Sequence, residues 1–192
     1  MKMFTCLRYF ISAMLFLSTC VYAAQHNHDS ASSAKQINAK ITELSDSTGL
    51  VYIGAEIAAS DVSVYLQQLR TILGEQQFKQ YRANQIARDP QGFHVTLINP
   101  FEYKKLLKTL TVKQGKVAIG EIIALTLQGL GKVAINANAK DSAESYFVII
   151  SSADGEKYRQ RYALKAKDFH ATLGFNPHDI YSKSKGLERL VK

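Results

Sequence analysis

Cysteine is nearly absent from this chain, and the two it has, Cys6 and Cys20, both stand near its start. That start has the form of a secretory signal. Lys2 and Arg8 carry positive charge with no acidic residue between them, an apolar run follows from Tyr9 to Leu17, and Val21-Tyr22-Ala23 supplies a small residue at the cut. Cleavage after Ala23 would remove both cysteines, so the expectation is a mature protein without disulfides, thiol catalysis or cysteine-ligated metal. Lipid attachment at Cys20 is the lesser alternative, because Thr19 is bulkier than the residue that usually precedes such a cysteine. A signal of this kind implies a periplasmic or secreted protein.

Long hydrophobic runs are missing as well. The run from Tyr9 to Leu17 falls short of the roughly 20 residues a membrane helix needs, and no longer one follows. The exported chain is therefore not expected to span a membrane. Acidic residues are few: 16 Asp and Glu against 24 Lys and Arg give a net charge of +8. A basic surface suits anionic partners such as nucleotides, nucleic acid or phospholipid head groups, or it is merely solvated surface. Metal-ligand clusters are lacking too. His26-Asn27-His28 has no third ligand nearby, and His178 is the only further histidine that could join a zinc site in the folded part. No cofactor is expected.

The organisation reads as residues 1–23 signal, 24–47 a flexible polar tether rich in Ala, Ser, Asn and Gln, and 48–192 one globular domain. Within the domain, Gly49–Ile57 reads as a strand. A helix capped by Ser60 or Asp61 follows, with Val62, Tyr65, Leu66, Leu69, Ile72 and Leu73 at helical spacing. Gln76–Arg88 is polar, part helix or loop. Phe93–Ile98 is a strand and Phe101–Leu110 a helix. Val117–Leu127 and Lys132–Asn138 suggest a hairpin turning at Gly129–Gly131, and Ser145–Ile150 a further strand. A helix from Asp154 to about Leu164, capped by Ser151 or Ser152, leads to the last strand, Phe169–Phe175, and a basic, partly helical tail. Mostly antiparallel strands with a few helices make an α+β domain.

One internal similarity carries chemistry. Phe93-His94-Val95-Thr96-Leu97 is matched by Phe169-His170-Ala171-Thr172-Leu173, and Asn-Pro follows each within a few residues. Residues i and i+2 of a strand share a face, so each histidine lies beside a threonine. If the two strands are neighbours in the middle of the sheet, two imidazoles and two hydroxyls line one groove. One imidazole can take a proton from a nucleophile while the other protonates a leaving oxygen, and the hydroxyls can donate to phosphate oxygens.

These paired motifs resemble the signatures of the two-histidine (2H) phosphoesterase superfamily over about residues 49–185. His94-Val-Thr-Leu-Ile-Asn-Pro-Phe-Glu-Tyr and His170-Ala-Thr-Leu-Gly-Phe-Asn-Pro-His-Asp-Ile-Tyr are most similar to its Swiss-army-knife branch. The resemblance implies two pseudo-symmetric lobes around a central groove and metal-independent opening of a 2′,3′-cyclic or comparable phosphodiester on a nucleotide or RNA end. It makes His94 and His170 the acid–base pair and Thr96 and Thr172 the phosphate-binding residues, without saying which histidine is the base. Tyr103, Tyr181 and Lys183 are further substrate-binding candidates at the groove rim, and Glu102, Asp179, Arg88 and Lys185 are weaker ones. No stable protein partner is implied. The competing expectations are a module that binds a phosphorylated ligand without turning it over, a metal-dependent hydrolase, and a structural envelope protein whose histidines are buried apart.

Overall fold

The computed structural model describes residues 34–110, 117–135 and 142–191. The signal segment, His26 and His28, and the first part of the expected tether lie outside the described residues. The last part of that tether is a correction. Lys35–Ser45 forms strand β1, in which Ile37, Ala39 and Ile41 are buried at alternate positions, the period of a strand with one face on a core. The folded domain therefore begins earlier than residue 48.

Strand β2 (Val51–Ile57), helix α1 (Ser63–Arg88), strand β3 (Phe93–Ile98) and helix α2 (Pro100–Thr109) follow. Strands β4 (Ile122–Ile135) and β5 (Ala143–Ser151), helix α3 (Ala153–Arg161) and strand β6 (Phe169–Asn176) complete the domain, with a single 3-10 turn at Leu187–Arg189 in the tail. All six strands join one antiparallel sheet in the order β3-β2-β1-β4-β5-β6. The halves are built alike. β1-β2-α1-β3 and β4-β5-α3-β6 each run strand, strand, helix, strand, and meet where β1 pairs β4.

This order overturns one expectation. β3 and β6, the two motif strands, are not neighbours in the middle of the sheet but its opposite edges. They still come within 8 Å of each other between Cα atoms, because the sheet curves until its ends converge. Helix α1, from the first half, packs on β6, while α3 packs on β4 and β3.

Local chemistry accounts for most element boundaries. Asn99 caps α2 in a capping box: its side chain accepts from the Glu102 amide at 2.9 Å, and the Glu102 carboxylate accepts from the Asn99 amide at 2.9 Å. Ser152 caps α3 by accepting from the Gly155 amide at 2.9 Å. Neither Ser60 nor Asp61 caps α1; Asp61 instead pairs with Lys35 Nζ at 2.7 Å. Gly74, at φ 69° and ψ 165°, breaks the path of α1, and the polar stretch after it is helical, burying Phe78, Tyr81 and Gln85.

The expected hairpin at Gly129–Gly131 is also corrected. β4 runs straight through as one 14-residue strand with a bulge at Gln128. The glycines are there for closeness, not for a turn. A Cβ on Gly131 would sit 2.5 Å from Phe147 Cε2 and 2.9 Å from Ile149 Cγ1. Gly131→Ala is expected to cost about 1–3 kcal/mol of stability by overpacking, read from urea unfolding. Unchanged stability would mean Phe147 can move aside.

The core has two parts. The larger lies between the sheet and the helices and takes Val95, Leu97, Ala171 and Leu173 from the motif strands with Tyr65, Leu69 and Tyr158 from α1 and α3. The smaller, on the other face, joins Val133, Phe147, Ile149 and Ile180. Alternation then decides what the motifs present. With residues 95, 97, 171 and 173 turned to the helices, His94, Thr96, His170 and Thr172 face the opposite way.

Candidate active site

The four motif side chains line one groove of about 750 Å³. His94 and Thr96 come from β3, His170 and Thr172 from β6, and Tyr52 from β2 joins them. The segment after β6 forms one wall through Asp179, Ile180, Tyr181, Lys183 and Lys185. Leu50, Phe101 and Tyr181, exposed at the rim, give the groove apolar and aromatic edges.

Each histidine has its own surroundings. His94 Nε2 lies 3.1 Å from the Tyr52 hydroxyl, with the rings tilted at a centroid distance of 5.1 Å. Burial and the Arg88 charge pull the His94 pKa below its ordinary value, against opposition from Asp89, the Gly92 carbonyl and Glu56. A proton on Nδ1, facing that carbonyl, would leave Nε2 to accept from Tyr52. His170 packs edge-on against Phe147 at 5.6 Å, and its buried Nδ1 has no hydrogen-bond partner of full geometry among the described residues. Burial, then Lys185 and Lys167, push its pKa well below the ordinary range, while Asp179 and the Asp168 carbonyl oppose them more weakly. Both imidazoles are thus held neutral near pH 7. Neither threonine hydroxyl makes a hydrogen bond among the described residues, so both stay available to an incoming phosphate oxygen.

The wall rests on a buried charge network. Asp179 accepts from Arg88, from Lys185 Nζ at 2.9 Å, from Ser145 Oγ at 2.6 Å and from the Ile180 amide at 2.8 Å. With the Lys185 and Arg88 charges beside it, its carboxyl is held well below the usual carboxylate range despite burial. Arg88 is also spent on Asp89, at 2.9 and 2.6 Å, and reaches the Tyr181 hydroxyl at 3.2 Å.

Membership is decided by the same residues. The family model described as Swiss Army Knife, 2H phosphoesterase domain matches residues 57–181, a span that holds both motif strands and the groove wall as far as Tyr181. The chain belongs to the Swiss Army Knife 2H phosphoesterase family. Searches of curated proteins and of solved structures return no match to it. The 2H phosphoesterase domain is a hydrolase domain acting on phosphate esters, and its α+β sheet with two similar halves is the architecture described above.

Not every rim candidate reaches the groove of this 2H domain. Tyr103 does not: it is buried on α2, and its hydroxyl donates to Glu43 Oε2 at 2.5 Å. Glu102 is likewise turned away, paired with the buried Arg159 at 2.7 Å. Tyr181 and Lys183 do line the groove, and Arg88 and Lys185 line it while bound to carboxylates. His178 is exposed outside it, and no cluster of three or more His, Cys, Asp or Glu side chains able to hold a metal occurs among the described residues. Among the lining residues that sequence reasoning does not single out are Tyr52 and Lys167. Tyr52 carries no motif of its own. Lys167 stands three residues before His170, a signal in plain view beside the motif.

Proposed function

We propose that the groove hydrolyses a cyclic, 2′,3′-type phosphodiester of a nucleotide or RNA end by two-histidine acid–base catalysis without a metal, in a protein exported through its N-terminal signal. The observation that carries this reading is that two histidines and two threonines from opposite edges of one sheet line a single groove. The threonine hydroxyls hold the phosphate oxygens and donate more strongly as negative charge builds on them. His170, faced by Lys167 and Lys185, is the imidazole held more firmly neutral, which suits the general base. His94, with carboxylates opposing its burial, suits the general acid. Water gives its proton to His170 as its oxygen bonds to phosphorus. The bond to one ribose oxygen breaks, and that oxygen takes a proton from His94.

The pH dependence follows from the signs. Both histidines titrate below their ordinary value of about 6.5, and the reaction needs one protonated and one neutral. The profile of kcat/KM, which reports the free enzyme, is therefore expected to be a bell centred on the acid side of pH 6.5. The test is hydrolysis of nucleoside 2′,3′-cyclic phosphates and linear dinucleotides with chelator present, scored by product identity. No product from the whole panel would sink the reading, and binding without product would favour a module that only recognises the ligand.

A further inference from the structure

His94 meets the groove through a neighbour. Its Nε2 lies 3.1 Å from the Tyr52 hydroxyl, and the Gly92 carbonyl faces its other ring nitrogen. A ring nitrogen offers one bond direction, so while Tyr52 stays on Nε2 no substrate oxygen can take that place. Tyr52 is held there: it is 6% exposed and packs on the imidazole at a centroid distance of 5.1 Å. Burial, with the Asp89 charge behind it, pushes the phenol pKa up, so the hydroxyl keeps its proton throughout the range in which a histidine titrates. That hydroxyl makes no other hydrogen bond among the described residues, although a phenol can donate and accept at once. When it accepts from a protonated Nε2, its own proton is free to be donated into the groove.

Register sets the direction of approach. On β2, Tyr52, Gly54 and Glu56 share a face, with Gly54 opposite Thr96 and Glu56 opposite His94. To meet His94 the phenol reaches along β2 past the Gly54–Thr96 pair, and its hydroxyl comes to the imidazole from the side of that phosphate-binding candidate. We propose that Tyr52 is a third catalytic residue, a relay whose hydroxyl carries the proton of His94 to the leaving ribose oxygen. As the bond from phosphorus to that oxygen breaks, the oxygen takes the Tyr52 proton, and the Tyr52 oxygen takes the Nε2 proton of the imidazolium. The phenol is never left charged, and His94 ends neutral with its proton on Nδ1, in the hydrogen bond the structure shows. The proton that His170 took from water passes to solvent, and His94 takes one back, which restores the pair. The proposal rests on the two-histidine reading and concerns its acid side alone.

The test compares Tyr52→Phe, His94→Ala and the double variant on a nucleoside 2′,3′-cyclic phosphate and on a nitrophenyl phosphodiester, whose leaving group needs no proton. A relay is as necessary as the acid behind it, so Tyr52→Phe should lower kcat on the cyclic phosphate by about 10²-fold or more, close to the His94→Ala loss. The double variant should be no slower than His94→Ala, because the two residues act in series. On the nitrophenyl ester the loss in Tyr52→Phe should shrink to about threefold. A loss of about tenfold or less on the cyclic phosphate, or one well short of the His94→Ala loss, would overturn the proposal, since that is the worth of a hydrogen bond that only orients an imidazole. So would an equal loss on both esters, which would make Tyr52 a structural residue. A wild type without turnover, or His94→Ala as active as wild type, would instead defeat the two-histidine reading itself.

Discussion

Replacing His170 by alanine is expected to lower turnover of a nucleoside 2′,3′-cyclic phosphate by about 10²–10⁴-fold, the range for loss of one positioned acid or base. The protein should stay folded, because the imidazole faces the groove rather than the main core and leaves Phe147 in place. His94→Ala should cost a similar factor on that substrate, since a ribose oxygen leaves poorly without a proton. The two variants should part company on an aryl phosphodiester that releases nitrophenolate, which needs no acid. There His94→Ala should recover most of its rate and His170→Ala should not. The opposite pattern would exchange the two roles, and undiminished activity in both variants would remove the histidines from the chemistry altogether.

Asp179→Asn is expected to cost about 3–5 kcal/mol of stability, the usual consequence of removing one member of a buried ion pair. Arg88 would keep Asp89, but Lys185, only 3% exposed, would be left without a counter-charge. Urea unfolding measures the loss, and the double variant Asp179→Asn/Lys185→Met should recover much of it, because no charge is then stranded. The pH dependence has a definite sign. A carboxyl held below its unfolded value contributes its full stability above about pH 4 and loses it as pH falls through the folded-state value. The gap between wild type and Asp179→Asn should thus be level from neutrality down to about pH 4 and narrow below it. A gap below about 1 kcal/mol at neutral pH would mean that water reaches Lys185 and screens it. In kinetics, the unopposed Lys185 should push His170 further down and carry the acid limb of the rate profile to lower pH.

The parts of the fold legible in the sequence are those whose signal is local. Asn99-Pro100 before Phe101 marks a helix start, and the Ser151-Ser152 pair another, with Ser152 the one that caps, because capping needs only a few adjacent residues. The alternation in Phe93–Ile98 and Phe169–Phe175 marks two strands and sets histidine and threonine on one face of each. What escapes is set by distant packing. Ile37, Ala39 and Ile41 do alternate, but the surrounding Ser, Asn and Gln resemble a tether, and only pairing with β2 and β4 makes the segment a strand. Gly129-Leu-Gly131 resembles a turn, and only the bulk of Phe147 and Ile149 on β5 explains the glycines otherwise. Tyr103 misleads because position after a motif says nothing of which way α2 turns it. The meeting of His94 and His170 is legible from the repeated motif, whereas the route by which they meet, from the two ends of a curved sheet, is not.

That route has a consequence for how activity arises during folding. His94 and His170 sit on strands that never hydrogen-bond to each other, and every one of the five strand pairings lies between them. Neither half of the chain contains a working fraction of the site, and β1–β4, the seam between halves, carries no groove residue yet decides whether the edges converge. Contacts so distant in sequence are among the last a chain can afford entropically. Phosphate recognition is therefore a property of the finished sheet, so a chain still folding, or one clipped on either side of the seam, carries both motifs and no site.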